Sequence, residues 1–150
     1  MYKRILVAID SSSTSERALQ EAINLAKDQL ATLRIAYAVD AVSIETSQEF
    51  IEPTQITDAW AESGRELLAE AKKQALVAGI PVETQLIESE ILKLGLGIAD
   101  VIVAEAKTWA ADLVVIGTHG RTGISHLLFG SVAESIIRIC PVPILLIRAE

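Results

Sequence analysis

Three features of the sequence predict an α/β domain built on a parallel sheet. Short apolar runs rich in β-branched residues, such as Ile5-Leu6-Val7-Ala8-Ile9 and Asp112-Leu113-Val114-Val115-Ile116, recur along the chain and have the length of buried strands. Between them lie longer stretches whose apolar residues repeat at helical spacing, and strands alternating with helices specify a parallel sheet with right-handed crossovers. The third feature is composition. Hydrophobic residues make up 51% of the chain but aromatics only 4%, leaving a core of Ala, Val, Ile and Leu of the kind that packs helices on a parallel sheet. At 150 residues the chain is expected to form one domain, residues 1–150, that buries about two thirds of its unfolded surface.

Taken in order, Tyr2 to Ile9 reads as a buried strand and Asp10-Ser11-Ser12-Ser13 as the loop that leaves it. Ser13-Thr14-Ser15-Glu16 has the form of a capping box, after which Ala18, Leu19, Ala22, Ile23, Leu25 and Ala26 make an amphipathic helix to about Leu30. Thr32 to Val39 is the second strand. Asp40 to about Thr57 has no clean period, contains Pro53 and carries several acids, so it reads as a long connection of the sort that forms lids or stays mobile. A helix follows from Thr54 or Thr57 to Ala78, with Ile56, Trp60, Leu67, Leu68, Ala71 and Ala75 turned inward. Gly79 stops it, and Pro81 blocks continuation.

Val82 to Ile87 alternates as a third strand. Gly95 and Gly97 mark a loop before a helix that contains Ile98, Val101, Ile102 and Trp109. After the fourth strand, Asp112 to Ile116, comes Gly117-Thr118-His119-Gly120-Arg121-Thr122-Gly123, and then Gly130-Ser131 opens a helix with Val132, Ala133, Ile136, Ile137 and Cys140 on its apolar side. Pro143 to Ile147 is the last strand.

The strand, glycine loop and helix start around Gly117 and Gly130 carry the most chemistry. The first N–H groups of a helix lack intrahelical partners, and glycine lets a backbone approach a phosphate closely, so together they can cradle an anion. A ligand-free reading is equally open on these residues alone. Ser131-Val132-Ala133-Glu134 also has the form of a capping box, which satisfies the same N–H groups internally, and Gly117 could simply end a strand.

The spacing adds a resemblance. Gly117-x-x-Gly120, nine residues, then Gly130-Ser131 resembles the G-x-x-G, nine residues, G-[S/T] signature of the ATP-binding branch of the universal stress protein family. Ile5 to Ser12 is similar to that family's first strand and its terminal aspartate, Ala111 to Gly120 to its fourth strand, and Cys140 to Ile147 to its last. The likeness spans essentially the whole chain.

That resemblance implies a doubly wound, five-stranded parallel sheet with helices on both faces and strand order 3-2-1-4-5, the adenine nucleotide alpha hydrolase-like arrangement. Ligands in such sheets bind beyond the carboxyl ends of the strands where the winding reverses, here between strands one and four. By the same resemblance, Ala8, Ile9 and Val39 would flank the adenine, and Asp10 would meet the ribose or, through Mg²⁺, a phosphate. Gly117, Gly120, Gly130, Ser131 and Val132 would hold the phosphates, with Arg121 adding charge. The alternative reading of Asp10 is a turn acceptor for the serine N–H groups after it. The family also implies a regulatory protein that binds ATP, or ADP or AMP, without fast turnover, and a homodimer formed through the apolar edge Pro143 to Ile147. The connection after Val39 would lie over the crevice.

Other chemistries lack their residues. A net charge of −7 and a pI near 4.9 disfavour binding to nucleic acid or anionic membranes. No G-x-x-x-x-G-K-[S/T] supplies a phosphate-binding lysine, no G-x-G-x-x-G follows the first strand, and no serine sits in G-x-S-x-G. His119 and His126 are the only histidines and have no helix-spaced metal partner. The single cysteine, Cys140, excludes an intrachain disulfide and is expected to be an inert buried thiol. The apolar start stops at Asp10, too short for a signal peptide, and no stretch approaches the ~20 apolar residues of a membrane span, so the cytoplasm is the expected location. Two rivals to the regulatory reading stand: a slow ATPase or nucleotide-handling enzyme, and a structural dimer that binds no nucleotide.

Overall fold

A computed structural model describes residues 1–39, 53–88, 97–118 and 131–148, with the backbone alone for 53–60. Its elements in chain order are β1 (Arg4–Ala8), α1 (Ser13–Gln29), β2 (Thr32–Ala38), α2 (Pro53–Val77), β3 (Val82–Ile87), α3 (Ile98–Trp109), β4 (Leu113–Gly117), α4 (Ser131–Ile139) and β5 (Ile144–Ile147). The strands form one sheet in the order β3-β2-β1-β4-β5, and every neighbouring pair is parallel.

Period-two alternation divides each strand between two cores. Ile5, Val7, Leu33, Ile35, Leu113 and Val115 face α1 and α2, where Ala18, Ala22, Ala26, Leu68, Ala71 and Ala75 close over them. Leu6, Ala36, Val114 and Ile116 face α3 and α4 and meet Ala99, Ile102, Ala106, Ala133 and Ile136. Covering on both faces is why β1 and β4 read as unbroken apolar runs. The alanines matter for distance, since small residues on the buried helix faces bring the helices close to the sheet.

Local signals set most helix ends, with informative exceptions. The cap of α1 is Ser12, whose Oγ accepts from Ser15 N–H at 3.1 Å, rather than Ser13 in a box with Glu16. Helix α2 begins at Pro53, ahead of the expected Thr54 or Thr57; proline suits a first helical position because the N–H it lacks has no intrahelical acceptor there. Gly79 follows α2 at φ +78° as a left-handed stop. The same left-handed stop occurs without glycine at Leu30 (φ 56°) after α1 and at Ala110 (φ 59°) after α3. Ser131 is the first residue of α4, and the Glu134 carboxylate lies 2.7 Å from Arg138 one turn on, so that pair replaces the box expected between Ser131 and Glu134. Cys140 is half-buried rather than buried, and its Sγ–H donates to Val142 O at 3.6 Å. The connection 40–52 and the side chain of Trp60 lie outside the described residues.

A polar cluster on the α3 side was not anticipated. Trp109, the last residue of α3, donates from Nε1 to Glu83 Oε2 at 2.9 Å on β3. Guanidinium carbons of Arg4 and Arg34 lie 4.5 Å and 4.9 Å from its ring centroid. Arg34 also pairs with Glu83 at 3.3 Å and with Glu105.

Candidate functional site

Strand β1 ends beside β4, with Ile5, Leu6 and Val7 level with Leu113, Val114 and Val115. Two residues beyond the last rung come Ile9 and Gly117, so the aspartate after β1 and the glycine that ends β4 emerge at one end of adjacent strands. Helix α1 returns over one face of the sheet and α4 serves the other. This is where the winding reverses, and the N-termini of both helices belong to this end.

Asp10 is held by a closed set of three hydrogen bonds. Its N–H donates to Ser15 Oγ at 2.7 Å, Ser15 N–H donates to Ser12 Oγ at 3.1 Å, and Ser12 N–H donates to Asp10 Oδ1 at 2.7 Å. The turn-acceptor reading of Asp10 is therefore correct as far as one oxygen goes. Among the described residues Oδ2 receives no hydrogen bond, and the carboxylate is half-buried.

The remaining rim is apolar with its N–H groups largely engaged. Ile9 is buried and its N–H donates to Ala36 O at 2.9 Å, while Val39, 3% exposed, donates to Ile87 O at 3.1 Å. Ala8 and Val132 are half-buried against the α3–α4 core, and Ser131 is exposed at the start of α4. Gly117 closes β4 against α1, and the next residue, Thr118, is buried with its N–H on Ile147 O at 2.9 Å. Gly120, Arg121 and Gly130, like His119 and His126, lie outside the described residues.

A cleft opens beside Asp10 between α1 and α2, lined among others by Ile9, Asp10, Ser12, Glu16, Leu67 and Glu70. Among the described residues three carboxylates and no basic residue line it, so it disfavours phosphate. Among the described residues no group of three or more His, Cys, Asp or Glu is gathered to hold a metal ion, and no helix is long and apolar enough to cross a membrane.

Comparison with known proteins agrees with the sheet topology and gives the family. The universal stress protein family profile matches residues 1–148. A universal stress protein of Methanocaldococcus jannaschii is 34% identical, with 99% of this chain and 83% of that protein covered. One from Bacillus subtilis is 30% identical over 99% of this chain and all of its own length. Among solved structures, a member of the family from Burkholderia pseudomallei is 32% identical with a TM-score of 0.80, covering 99% of this chain and 97% of its own. A universal stress protein crystallised in complex with cAMP is 25% identical with a TM-score of 0.68, covering 98% and 97%.

Proposed function

The chain belongs to the universal stress protein family, and from that premise we propose that it is an ATP-binding regulatory protein of the cytoplasm that holds its nucleotide without fast turnover. The observation that carries this reading is the emergence of Asp10 and Gly117 from adjacent parallel strands at the reversal point, with a helix N-terminus on each face. The cAMP complex of a relative supports an adenine nucleotide as the ligand class.

In this reading Ala8, Ile9 and Val39 form the apolar wall against the adenine. Because the N–H groups of Ile9, Asp10 and Val39 already have partners, base recognition there falls to other groups. Asp10 accepts from a ribose hydroxyl through Oδ2, since a carboxylate repels bare phosphate unless a cation such as Mg²⁺ arrives with the nucleotide. Gly117, Gly120, Gly130, Ser131 and Val132 hold the phosphates mainly through backbone N–H, and Arg121 offsets charge. Asp10 is the one candidate base among these, and in this reading its two oxygens are committed to Ser12 N–H and the ribose, which is why slow or absent hydrolysis is expected. A second copy of the chain pairs along β5, one of the two edge strands of the sheet.

The test is mass spectrometry of nucleotide carried through purification, beside calorimetric titration and a turnover assay with ATP, ADP and AMP. Tight ATP binding with negligible phosphate release supports the regulatory reading. Rapid release would make the protein an ATPase, and absence of binding to all three nucleotides would leave a structural dimer.

A further inference from the structure

We propose that Ser15 is a positioning residue for Asp10, fixing its carboxylate so that one oxygen serves the protein and the other is left for a ligand hydroxyl. The proposal rests on the nucleotide reading above for what the hydroxyl belongs to, but its structural half stands on α1 itself. Ser15 is the third residue of the helix, 4% exposed, and a cap at Ser12 needs only its N–H. The hydroxyl does something further. It reaches back to accept from Asp10 N–H at 2.7 Å, and this pins the residue whose Oδ1 in turn accepts from Ser12 N–H at 2.7 Å.

Each member of the ring is thereby tied twice. Ser12 caps the helix with its oxygen and holds Asp10 with its N–H. Asp10 is gripped through main chain and side chain on both sides of its Cα, so its χ1 rotation is restrained and Oδ2 is the carboxylate oxygen without an internal donor among the described residues. Removal of the Ser15 hydroxyl leaves a part-buried N–H without its acceptor and releases the main-chain half of the grip. A carboxylate that must be reoriented on binding gives weaker recognition than one already set.

The experiment compares the parent with Ser15→Ala and Ser15→Thr, each first shown to be folded, using three readouts. In ligand-free protein, NMR exchange should be faster at the Ser12 amide, as well as at Asp10, in Ser15→Ala, because a loosened carboxylate no longer protects Ser12 N–H; Ser15→Thr should remain close to the parent. Titration with ATP should show a several-fold to about tenfold weaker affinity for Ser15→Ala. Titration with 2′,3′-dideoxy-ATP, which lacks the hydroxyls, should show no difference between the two proteins. Unchanged Ser12 protection, or equal losses with ATP and dideoxy-ATP, would overturn the positioning role, the latter because it marks general damage to the site. If the parent binds neither nucleotide, the nucleotide reading fails, while the Ser12 amide still decides whether Ser15 orients Asp10.

Discussion

Thr14 on α1 presses on Gly117 at the end of β4 so closely that a Cβ on the glycine would lie 2.8 Å from Thr14 Cγ2 and 3.2 Å from the Thr14 carbonyl carbon. Gly117 thus has a packing reason to be glycine, whatever it does for a ligand. The contact sets the height of α1 over β4, and with it the position of the turn that carries Asp10 relative to the glycine loop. Gly117→Ala is expected to destabilise the fold by about 1–3 kcal/mol through overpacking. Adding Thr14→Ser, which removes the Cγ2, should recover part of that loss in urea unfolding, although the main-chain contact remains. Additive effects would show that the two residues do not oppose each other.

Gly120→Val and Gly130→Val separate a phosphate loop from a plain turn. If the backbone must approach phosphates, a β-branched side chain excludes the ligand even where the fold survives. Ser131→Ala should do less, because main-chain N–H groups remain and a lost hydrogen bond is worth about 1 kcal/mol. The measurement is calorimetric titration of ATP into variants shown to be folded by circular dichroism. A folded Gly130→Val protein that binds ATP as tightly as the parent would remove the phosphate-loop assignment.

The edge strand predicts its own disruption. Leu145 on β5 is 36% exposed on the α1 face of the sheet, and β5 has no strand on its outer side among the described residues, so an apolar side chain sits beside an open ladder of hydrogen-bonding groups. Leu145→Asp should shift a dimer toward monomer in sedimentation at micromolar concentration without unfolding it. A parent that is already monomeric there would end the β5 dimer.

Trp109→Phe should lower stability by about 1–3 kcal/mol in denaturant titration. The phenyl ring keeps most of the apolar contact but gives up the indole N–H that Glu83 accepts, and it attracts the Arg4 and Arg34 guanidinium groups less. A change below about 0.5 kcal/mol would mean that the cluster is solvated as well as it is bonded.

Leu30→Gly should stabilise the protein. A leucine in the left-handed region is strained by about 1 kcal/mol relative to glycine, and this one is 89% exposed, so little packing is given up. Part of the gain is offset by the greater freedom of glycine in the unfolded chain. The expected rise in Tm is about 1–3 °C, and a fall would mean that Leu30 makes contacts its exposure conceals.

Period and punctuation were sufficient for much of this fold. The alternation in Val82 to Ile87 delimits β3, Gly79 and Pro81 end α2, and the apolar runs at Ile5 and Leu113 announce strands buried on both faces, because each of these signals is local and acts within a few residues. The glycine spacing that led to the family is likewise a property of the linear chain. What the linear chain left open was decided at long range. Any of Ser11, Ser12 and Ser13 is chemically able to cap α1; the choice of Ser12 accompanies the ring through Asp10 and the seating of Thr14 on Gly117, a residue more than a hundred positions away. Leu30 and Ala110 carry no sequence sign of a left-handed turn, since the sheet requires the chain to reverse there whether or not glycine is present. Arg4, Arg34 and Glu83 look like unrelated polar residues, and Trp109 like one more apolar residue of its helix, until the order β3-β2-β1 lays three strands side by side under the end of α3. Periodicity tells a strand which of its faces are apolar but not which strand will lie beside it. That neighbour is chosen by the crossovers and the fit of helices to the sheet, and in this protein the same choice sets Asp10 beside Gly117.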